Sequence, residues 1–562
     1  MALATELREK VIRGWCMYDW ANSAFATSVG TAIMPVYFVA LFQDAFGSET
    51  SILGFTMTGS STWSLGVALS TAMVAFSSPI LGVIADRARI KKTLLWIYTS
   101  TGAGFTVLAF FSAYSGAEWA WALGCYMLAN IGFAGSIVFY NSFLPHLADS
   151  DDLDRVSSKG FAYGYVGGGV LLAIHLVVIL IFSDTDSIDL VTRLAIGSVG
   201  FWWFGWAIWT FKTVPEPEIA NPITGLNVKT ASTLAFSGIR QTFRELVKFK
   251  MLGVFLIAYL LFNDGIQTVL AVAGAFGPDT LGISLVSNMA TILIVQFVAA
   301  LGAMIFSNLA KAIGTKQSLV VSLLGWCVVI ALAIGFAPLI PSEYDDFDYK
   351  LKYSTNGNYQ VVEEPEISED DKDISMWLTK HGYLLGQNYM DSDRVEKLLD
   401  AVGNDEDSRY SIYVIGGTLD KTFAIGRSHT SVITGGPVDW WPRTLRSYLW
   451  EPLGLSVDLQ WLFLGVVVGL VLGGSQALAR SLFAHMTPES RSAEFFGFFG
   501  LIGRASAVFG PMLYLIFTGI YDTRVAILVL LVIIVVGTVL LKWVDVNAGR
   551  LVAESEDRSA NS

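Results

Sequence analysis

Apolar runs about as long as a bilayer is thick recur along this chain, and they restrict its fold more than any other feature. Twelve of them lie near residues 15–42, 62–85, 93–114, 118–140, 161–182, 191–211, 251–275, 284–307, 317–340, 459–479, 495–518 and 523–545. A helix needs roughly 20 mainly apolar residues to cross roughly 30 Å of hydrocarbon. Inside lipid, backbone groups must be satisfied within the segment, so such runs form helices. Only 15% of the residues are charged, where a soluble chain carries roughly 25%. The fold class predicted is an all-α integral membrane protein. The first 13 residues are polar and the first apolar run is too long for a cleavable signal, so none is expected.

Lysine and arginine set the expected orientation. Arg8, Lys10 and Arg13 precede span 1, Arg87, Arg89, Lys91 and Lys92 follow span 2, and Arg155 and Lys159 follow span 4. Lys212, Lys229, Arg240, Arg244, Lys248 and Lys250 follow span 6, and Lys311, Lys316, Arg480 and Arg491 follow spans 8 and 10. The short loops 43–61, 115–117 and 276–283 carry no lysine or arginine. By the positive-inside rule both termini are cytoplasmic, and the cell (inner) membrane is the expected location.

That orientation places residues 341–458 outside. They hold 22 acids and 11 Lys/Arg, leaving 26 acids against 25 bases elsewhere, so the net charge of -12 belongs mainly to this insert. A helix-like stretch, Asp393–Leu399, precedes two strand-like runs, Tyr410–Ile415 and Thr422–Ile425, joined through Gly416-Gly417. The expectation is a small extracytoplasmic α+β domain with a disordered acidic lead near 343–374. It is either a solvated cap or a surface for an unknown extracytoplasmic partner. The domain reading is therefore 1–211 and 251–340 with 459–545 as two six-helix bundles, 212–250 as a cytoplasmic linker, 341–458 as the insert and 546–562 as a cytoplasmic tail.

An internal echo supports two related halves. Gly135-Ser136 and, after five residues, Ser142-Phe143-Leu144-Pro145-His146 recur 339 residues later as Gly474-Ser475 and Ser481-Leu482-Phe483-Ala484-His485. Homologous halves are the usual architecture of secondary transporters. Gly160, Gly164 and Gly168 in span 5 and Gly465, Gly469 and Gly473 in span 10 repeat every four residues. Small residues at that period let helix backbones approach in lipid. Such faces either pack or slide during transport.

The loop after span 2 reads Gly82-Val83-Ile84-Ala85-Asp86-Arg87-Ala88-Arg89-Ile90-Lys91-Lys92. It resembles the signature loop of the major facilitator superfamily. Asp86, with Arg87 and Arg89, would latch a cytoplasmic gate by accepting from an arginine or capping a helix terminus. The matching loop after span 8, Asn308–Lys316, lacks the aspartate. The stretches Trp15–Phe25, Ser157–Tyr165, Phe262–Thr268, Gly473–Ser481 and Arg491–Phe496 narrow the likeness. Together they resemble the vacuole-effluxer-like branch of that superfamily, whose fungal members are linked to autophagy and to amino-acid export from the vacuole. The resemblance implies the major facilitator fold, with twelve transmembrane helices in two six-helix pseudo-repeats. The insert at 341–458 departs from the short form of that fold.

Ionisable side chains inside a span are costly and are functional candidates by default. Asp264 lies near the middle of span 7, after Asn263 and one turn before Gln267; Arg504 lies midway along span 11. An Asp264–Arg504 pair is feasible, as a coupling or substrate site or as a neutralised structural pair. Asp19, with Asn22 and Ser23, is echoed by Asp264, Gln267 and Thr268. Gln476 and Asn141 are amides expected at the cavity or its mouth. Glu494 suits a helix N-terminus, and His175 reads as a packed core histidine. The predicted coupling or substrate set is Asp264, Arg504, Asp19, Asn22, Asn263, Gln267 and Gln476.

No nucleotide loop, zinc-ligand cluster or serine elbow is present. Cys16, Cys125 and Cys327 lie in apolar runs without ligand spacing. The prediction is not an enzyme, with no cofactor, no metal and no nucleic-acid partner. It is a transporter of a small solute, amino-acid-like or another small organic molecule, working by alternating access in the bilayer and exporting it, with protons as the candidate coupling ion. The alternatives are a lipid flippase on the same scaffold and a membrane receptor or assembly factor working through the insert.

Overall fold

Among the described residues of the computed structural model, eleven helices are long and apolar enough to cross a membrane. The structure describes residues 2–47, 50–52, 55–183, 185–219, 223, 248–281, 283, 285–354, 356–363, 390–405, 408–433, 435–506 and 509–561. Lys229, Arg240, Arg244 and the part of the acidic lead after 363 lie outside the described residues. The remaining expected span, the third, is the helix Lys91–Ala109. Its opening lysines and its Thr/Ser/Gly content dilute its hydropathy, yet it packs between spans 4 and 6 as its place in the chain requires.

The pairing of helices repeats between the halves. Span 1 packs on spans 5 and 6, span 2 on span 4, and span 3 on spans 4 and 6. In the other half, span 7 packs on spans 11 and 12, span 8 on span 10, and span 9 on spans 10 and 12. The halves meet through span 2 with span 11, span 8 with span 5, span 4 with span 11 and span 5 with span 10.

Both glycine ladders are packing faces within a half. A Cβ added at Gly164 would stand 2.6 Å from Ser23 Oγ, and one at Gly168 would stand 3.0 Å from Thr27, both in span 1. One added at Gly473 would stand 1.9 Å from the Ala299 carbonyl oxygen in span 8. In lipid, dispersion at such close approach holds helices together. The ladders therefore stiffen each half, and Gly160 also lies against Arg480 of the other half, whose Nη2 would stand 3.0 Å from an added Cβ.

Two spans depart from regular helix. Span 1 runs as an α-helix over Ala2–Ala24, switches to π-type hydrogen bonding over Phe25–Ile33, and resumes at Met34. Span 11 is an α-helix over Ser492–Ala505 and again over Phe509–Ile520. Past span 12, the helix Val546–Asn561 lies across the bundle end that carries both termini, hereafter the terminal end. Its Asp557 accepts from the backbone N–H groups of Glu489 and Ser490, at 3.0 and 2.9 Å, and its Glu556 pairs with Arg491 and Lys248.

Strands β1, Thr50–Ile52, and β2, Phe55–Met57, form a short hairpin after span 1. The insert contains β3, Tyr349–Tyr353, β4, Tyr359–Glu363, β5, Ser411–Ile415, and β6, Phe423–Ile425, in the order β4-β3-β5-β6. β5 and β6 and the helix Ser392–Asn404 fall where the sequence indicated. β3 and β4 overturn the part of the expected disordered lead, near 343–374, that the structure describes. The run Tyr-Lys-Leu-Lys-Tyr alternates at period 2, and its charges are managed: Lys350 is buried and pairs with Glu363 at 2.8 Å. Val395, Leu398 and Val402 form the buried stripe of the helix, under the same sheet. Asp391 caps that helix by accepting from Arg394 N–H at 2.9 Å. After the sheet, Trp441 and Trp450 donate to the span 9 carbonyls of Ala331 and Gly335 at 2.8 and 3.0 Å, which ties this segment to the bundle.

Candidate functional site

A cavity of about 320 Å³ lies between the halves, walled by spans 1, 4 and 5 on one side and 7, 10 and 11 on the other. Asp19, Asn22, Asn263, Gln267, Gln476 and Arg504 line it, together with Asn141, Tyr165, Tyr259 and the rings of Phe133, Phe161 and Phe499. The predicted set is thus largely assembled from distant parts of the chain. Amides dominate its polar wall, and Gln476 Nε2 donates to Asn263 Oδ1 at 3.3 Å.

Asp264 is the exception. It lies beside Asn263 in sequence, but helical rotation turns it away from the cavity. Its Oδ1 accepts from Gly510 N–H at 3.0 Å, at the start of the second helix of span 11. A helix start has free N–H groups and a positive dipole end, which suits a carboxylate. Arg504 does not pair with it. Its Nη1 donates to the Gly500 carbonyl at 3.1 Å and its Nη2 crosses to the Ala134 carbonyl of span 4 at 2.6 Å. The expected Asp264–Arg504 pair does not form, because Asp264 is turned to Gly510 and Arg504 to Gly500 and Ala134.

The charged centre of the cavity is instead Asp19 with Arg480, which the sequence reading placed among the loop cations. Arg480 is 3% exposed on its side chain and Asp19 12%, and Nη1 lies 3.3 Å from Oδ2. Tyr140 donates its hydroxyl to the same Oδ2 at 2.6 Å. Arg480 also reaches Ser157 Oγ at 2.9 Å, the Ser157 carbonyl at 2.6 Å and Asn141 Oδ1 at 3.1 Å. Its guanidinium stands 4.0 Å over the Phe161 ring and 5.0 Å from Trp15. Every one of these partners belongs to the N-terminal half, whereas Arg480 belongs to span 10. The signal in the sequence was Arg480 lying five residues past Ser475, inside the repeat stretch.

Below this centre the halves are sealed at the terminal end. Asp86 accepts from the backbone N–H groups of Ala493 and Glu494, at 3.0 and 2.8 Å, and so caps span 11 from the other half. Lys91 is buried beside it, 2.8 Å from Asp86 and 2.7 Å from Ser492 Oγ. The latch thus takes the helix-capping form. Its buried cation is Lys91, and Arg87 stands within electrostatic reach of Glu494 in the other half. Arg87 gives its carbonyl to Ile223 N–H, and Arg89 ends span 2 in the left-handed region, at φ 56°. Glu494 pairs with Arg491 at 2.9 Å. At the same end, Asp154 accepts from Ser481 at 2.5 Å and from Thr315 at 2.6 Å, both in the other half. Glu216, after span 6, accepts from Lys91 and Lys92 N–H at 2.8 and 2.7 Å; burial raises its carboxyl against those bonds. His175 bonds Ser198 at 2.9 Å, as a core histidine does.

The family model described as "Vacuole effluxer Atg22 like" matches residues 8–340 and 443–554. The chain belongs to this Atg22-like family. The uncharacterized MFS-type transporter YxiO of Bacillus subtilis is 24% identical, over 97% of this chain and 96% of its own length. Autophagy-related protein 22-1 of Aspergillus fumigatus is 22% identical over 72% of this chain, which spans about half, 51%, of that relative's length. Among solved structures, the proton:xylose symporter XylE overlays with TM-score 0.54 at 11% identity, covering 96% of this chain and 95% of XylE. A bacterial homologue of the iron transporter ferroportin, in an outward-facing state, overlays with TM-score 0.50 at 10% identity, covering 95% and 98%. At such identities the overlays establish the major facilitator fold alone. This Atg22-like chain is a multi-pass membrane protein of the major facilitator transporter type. The family match passes over most of the insert, so the β3–β6 sheet is an addition to the shared bundle.

Proposed function

We propose that this Atg22-like protein carries a small water-soluble organic solute across the cell membrane by alternating access, working as an exporter that draws on an ion gradient. The observation that carries this reading is the Asp19–Arg480 link, a buried ion pair joining the two halves at the floor of a cavity lined by amides, arginines and aromatic rings. A buried pair held by further hydrogen bonds resists one-sided removal, but a competing proton or ligand can exchange for it. Protonating Asp19 would release Arg480, and with it the contact that holds span 10 against spans 1, 4 and 5.

With the termini in the cytoplasm, the sealed end is cytoplasmic and the insert is external. The named ties between halves, from Asp86–Glu494 through Asp154–Ser481 up to Arg504–Ala134, then lie on the cytoplasmic side or at mid-depth. The conformation is accordingly outward-facing. Amides and arginines along the wall favour a hydrated solute over a lipid.

The test is distance measurement between spin labels at both ends, in proteoliposomes. Asp151→Cys with Asn547→Cys reports the terminal end, and Gly116→Cys with Tyr521→Cys the opposite end. Two populations that exchange in opposite senses at the two ends are expected, with Asp19→Asn shifting them toward a parted terminal end. A single distance at each end, insensitive to pH from 5 to 8 and to Asp19→Asn, would sink the alternating-access reading.

A further inference from the structure

The cavity holds two arginines, and only one of them is neutralised by a carboxylate among the described residues. Arg480 is neutralised by Asp19 and fully engaged. Asp264, the other carboxylate nearby, is turned to Gly510 N–H. Arg504 therefore lines the cavity with no carboxylate in ion-pair reach among the described residues. Its two carbonyl bonds use only part of a guanidinium's five donors. A cation left without a counter-charge at mid-depth of a bilayer is costly, so such a group normally meets a partner.

We propose that Arg504 receives the anionic group of the transported solute, and that this group is a carboxylate. The inference rests on the transport reading above and narrows its substrate class to organic anions. A guanidinium presents parallel N–H groups that match the two oxygens of a carboxylate, which a point charge does not. Neutral groups with no protein partner among the described residues share the wall: the Asn22 and Gln267 amides and the Tyr259 hydroxyl. Tyr259 is held in place by stacking on Phe499, with ring centroids 4.4 Å apart. Gly503 leaves room for it, since an added Cβ would stand 3.1 Å from the hydroxyl. Phe133 and Phe499 offer apolar surface for the body of the solute. The wall as a whole carries one positive charge more than it balances, which selects against cations and gives neutral molecules no advantage.

The experiment uses the full-length protein in detergent and three sets of matched probes: carboxylates from acetate to benzoate, their amides and their amines, all at constant ionic strength. A ligand that binds the folded state raises the melting temperature by mass action. At least one carboxylate is expected to raise it by about 2 °C or more, while its amide and amine do not. Arg504→Gln is expected to remove the shift and Arg504→Lys to keep only part of it. The comparison among probes on the unaltered protein stands even if a variant folds poorly. Equal shifts from a carboxylate and its amide would overturn the anion site and leave the transport reading intact. An undiminished shift in Arg504→Gln would overturn it also, by placing the binding elsewhere. No shift from any carboxylate would overturn it outright, and the spin-label distances would then decide whether transport itself fails.

Discussion

Asn141 and Arg480 are equivalent positions of the internal repeat, 339 residues apart, and they touch, with Arg480 Nη1 donating to Asn141 Oδ1 at 3.1 Å. In a two-fold arrangement only residues beside the axis meet their own counterparts. The axis that relates the halves therefore passes through the floor of the cavity. A second relation obeys the same operation. His146 lies 3.7 Å from Glu489, and His485, its counterpart, lies 3.3 Å from Ser150, the counterpart of Glu489.

Arg480 at this axis should act as the lock between halves. Arg480→Gln leaves Asp19 buried with Tyr140 as its remaining donor, and one-sided removal from a buried pair costs about 3–5 kcal/mol. That cost falls on the closed terminal end, where Arg480 meets its partners. Labels at Asp151 and Asn547 should report a parted terminal end in most molecules. Arg480→Lys should recover little, because one ammonium cannot reach Asp19, Ser157 and Asn141 together. Unchanged distances in both variants would remove Arg480 from the lock.

The cap provided by Asp86 should be as sensitive as its geometry is specific. Asp86→Ala strands Lys91 in a buried position and frees two N–H groups at the start of span 11. The combined effect is again on the order of 3–5 kcal/mol against the sealed terminal end. A Ser492→Cys reporter, buried in the parent, should then react with a membrane-impermeant thiol reagent at least about tenfold faster. Each 1.4 kcal/mol of destabilisation is one factor of ten in the open population. An Arg89→Ala control should leave the rate unchanged, since Arg89 makes no tie across the halves among the described residues.

How much of this was legible in the sequence follows from what each signal depends on. Twelve spans and two halves could be read because apolar length and a partial internal echo are properties of the residues themselves and need no knowledge of which side chains meet. The polar wall could be read because an amide or ion in a long apolar run has few other uses. The partners could not. Asp264 and Arg504 share a half, but Asp264 is turned to the start of the helix Phe509–Ile520 and Arg504 to Ala134; Gly510-Pro511 is the one mark in the residues that span 11 is interrupted there, and it does not say which way either side chain turns. Arg480 looked like a topogenic loop cation because span 10 continues past it to His485, burying a residue that hydropathy places at the edge. β3 was hidden because its partner β5 lies some 60 residues on, paired in parallel, and the acidic flank outweighed a five-residue alternation.

The glycine ladders offer a test of stiffness that leaves the lock alone. Gly473→Ala puts a methyl 1.9 Å from the Ala299 carbonyl oxygen, so spans 8 and 10 must part. Overpacking of this kind typically costs about 1–3 kcal/mol. Gly104→Ala and Gly124→Ala meet nothing within 4 Å and should be neutral or slightly stabilising through helix propensity. Melting temperatures of the purified proteins would check the contrast. A Gly473→Ala protein as stable as its parent would mean that the two spans are not held at this distance.

The insert should lose stability in acid through Asp348. Burial opposes its ionisation, but hydrogen bonds with His429 and Ser411 outweigh it and hold the carboxyl below its ordinary range. Because the folded value lies below the unfolded one, stability from this group is present above about pH 4. It is lost as pH falls through the folded value. Protease resistance of the insert in the full-length protein should therefore drop below about pH 4. Asp348→Asn should lower resistance already at pH 7 and flatten the acid dependence. An unaltered acid profile in that variant would assign the pH response to other carboxyls.

Asp264 provides the sharpest separation between a transport residue and a structural one. Its carboxylate caps the second helix of span 11 through Gly510 N–H, and Gly510 itself has no room for a side chain: an added Cβ would stand 2.0 Å from Thr268 Oγ1. Asparagine keeps an oxygen that can accept the same bond, so Asp264→Asn should fold and keep the cavity's response to solutes. Asp264→Ala loses the cap, typically worth about 1 kcal/mol, and leaves buried N–H groups unpaired, so its melting temperature should fall. Solute-induced shifts measured beside melting temperatures would separate the two roles. If Asp264→Asn melts like the parent yet no longer responds to any solute, Asp264 belongs to the transport site and the capping account fails.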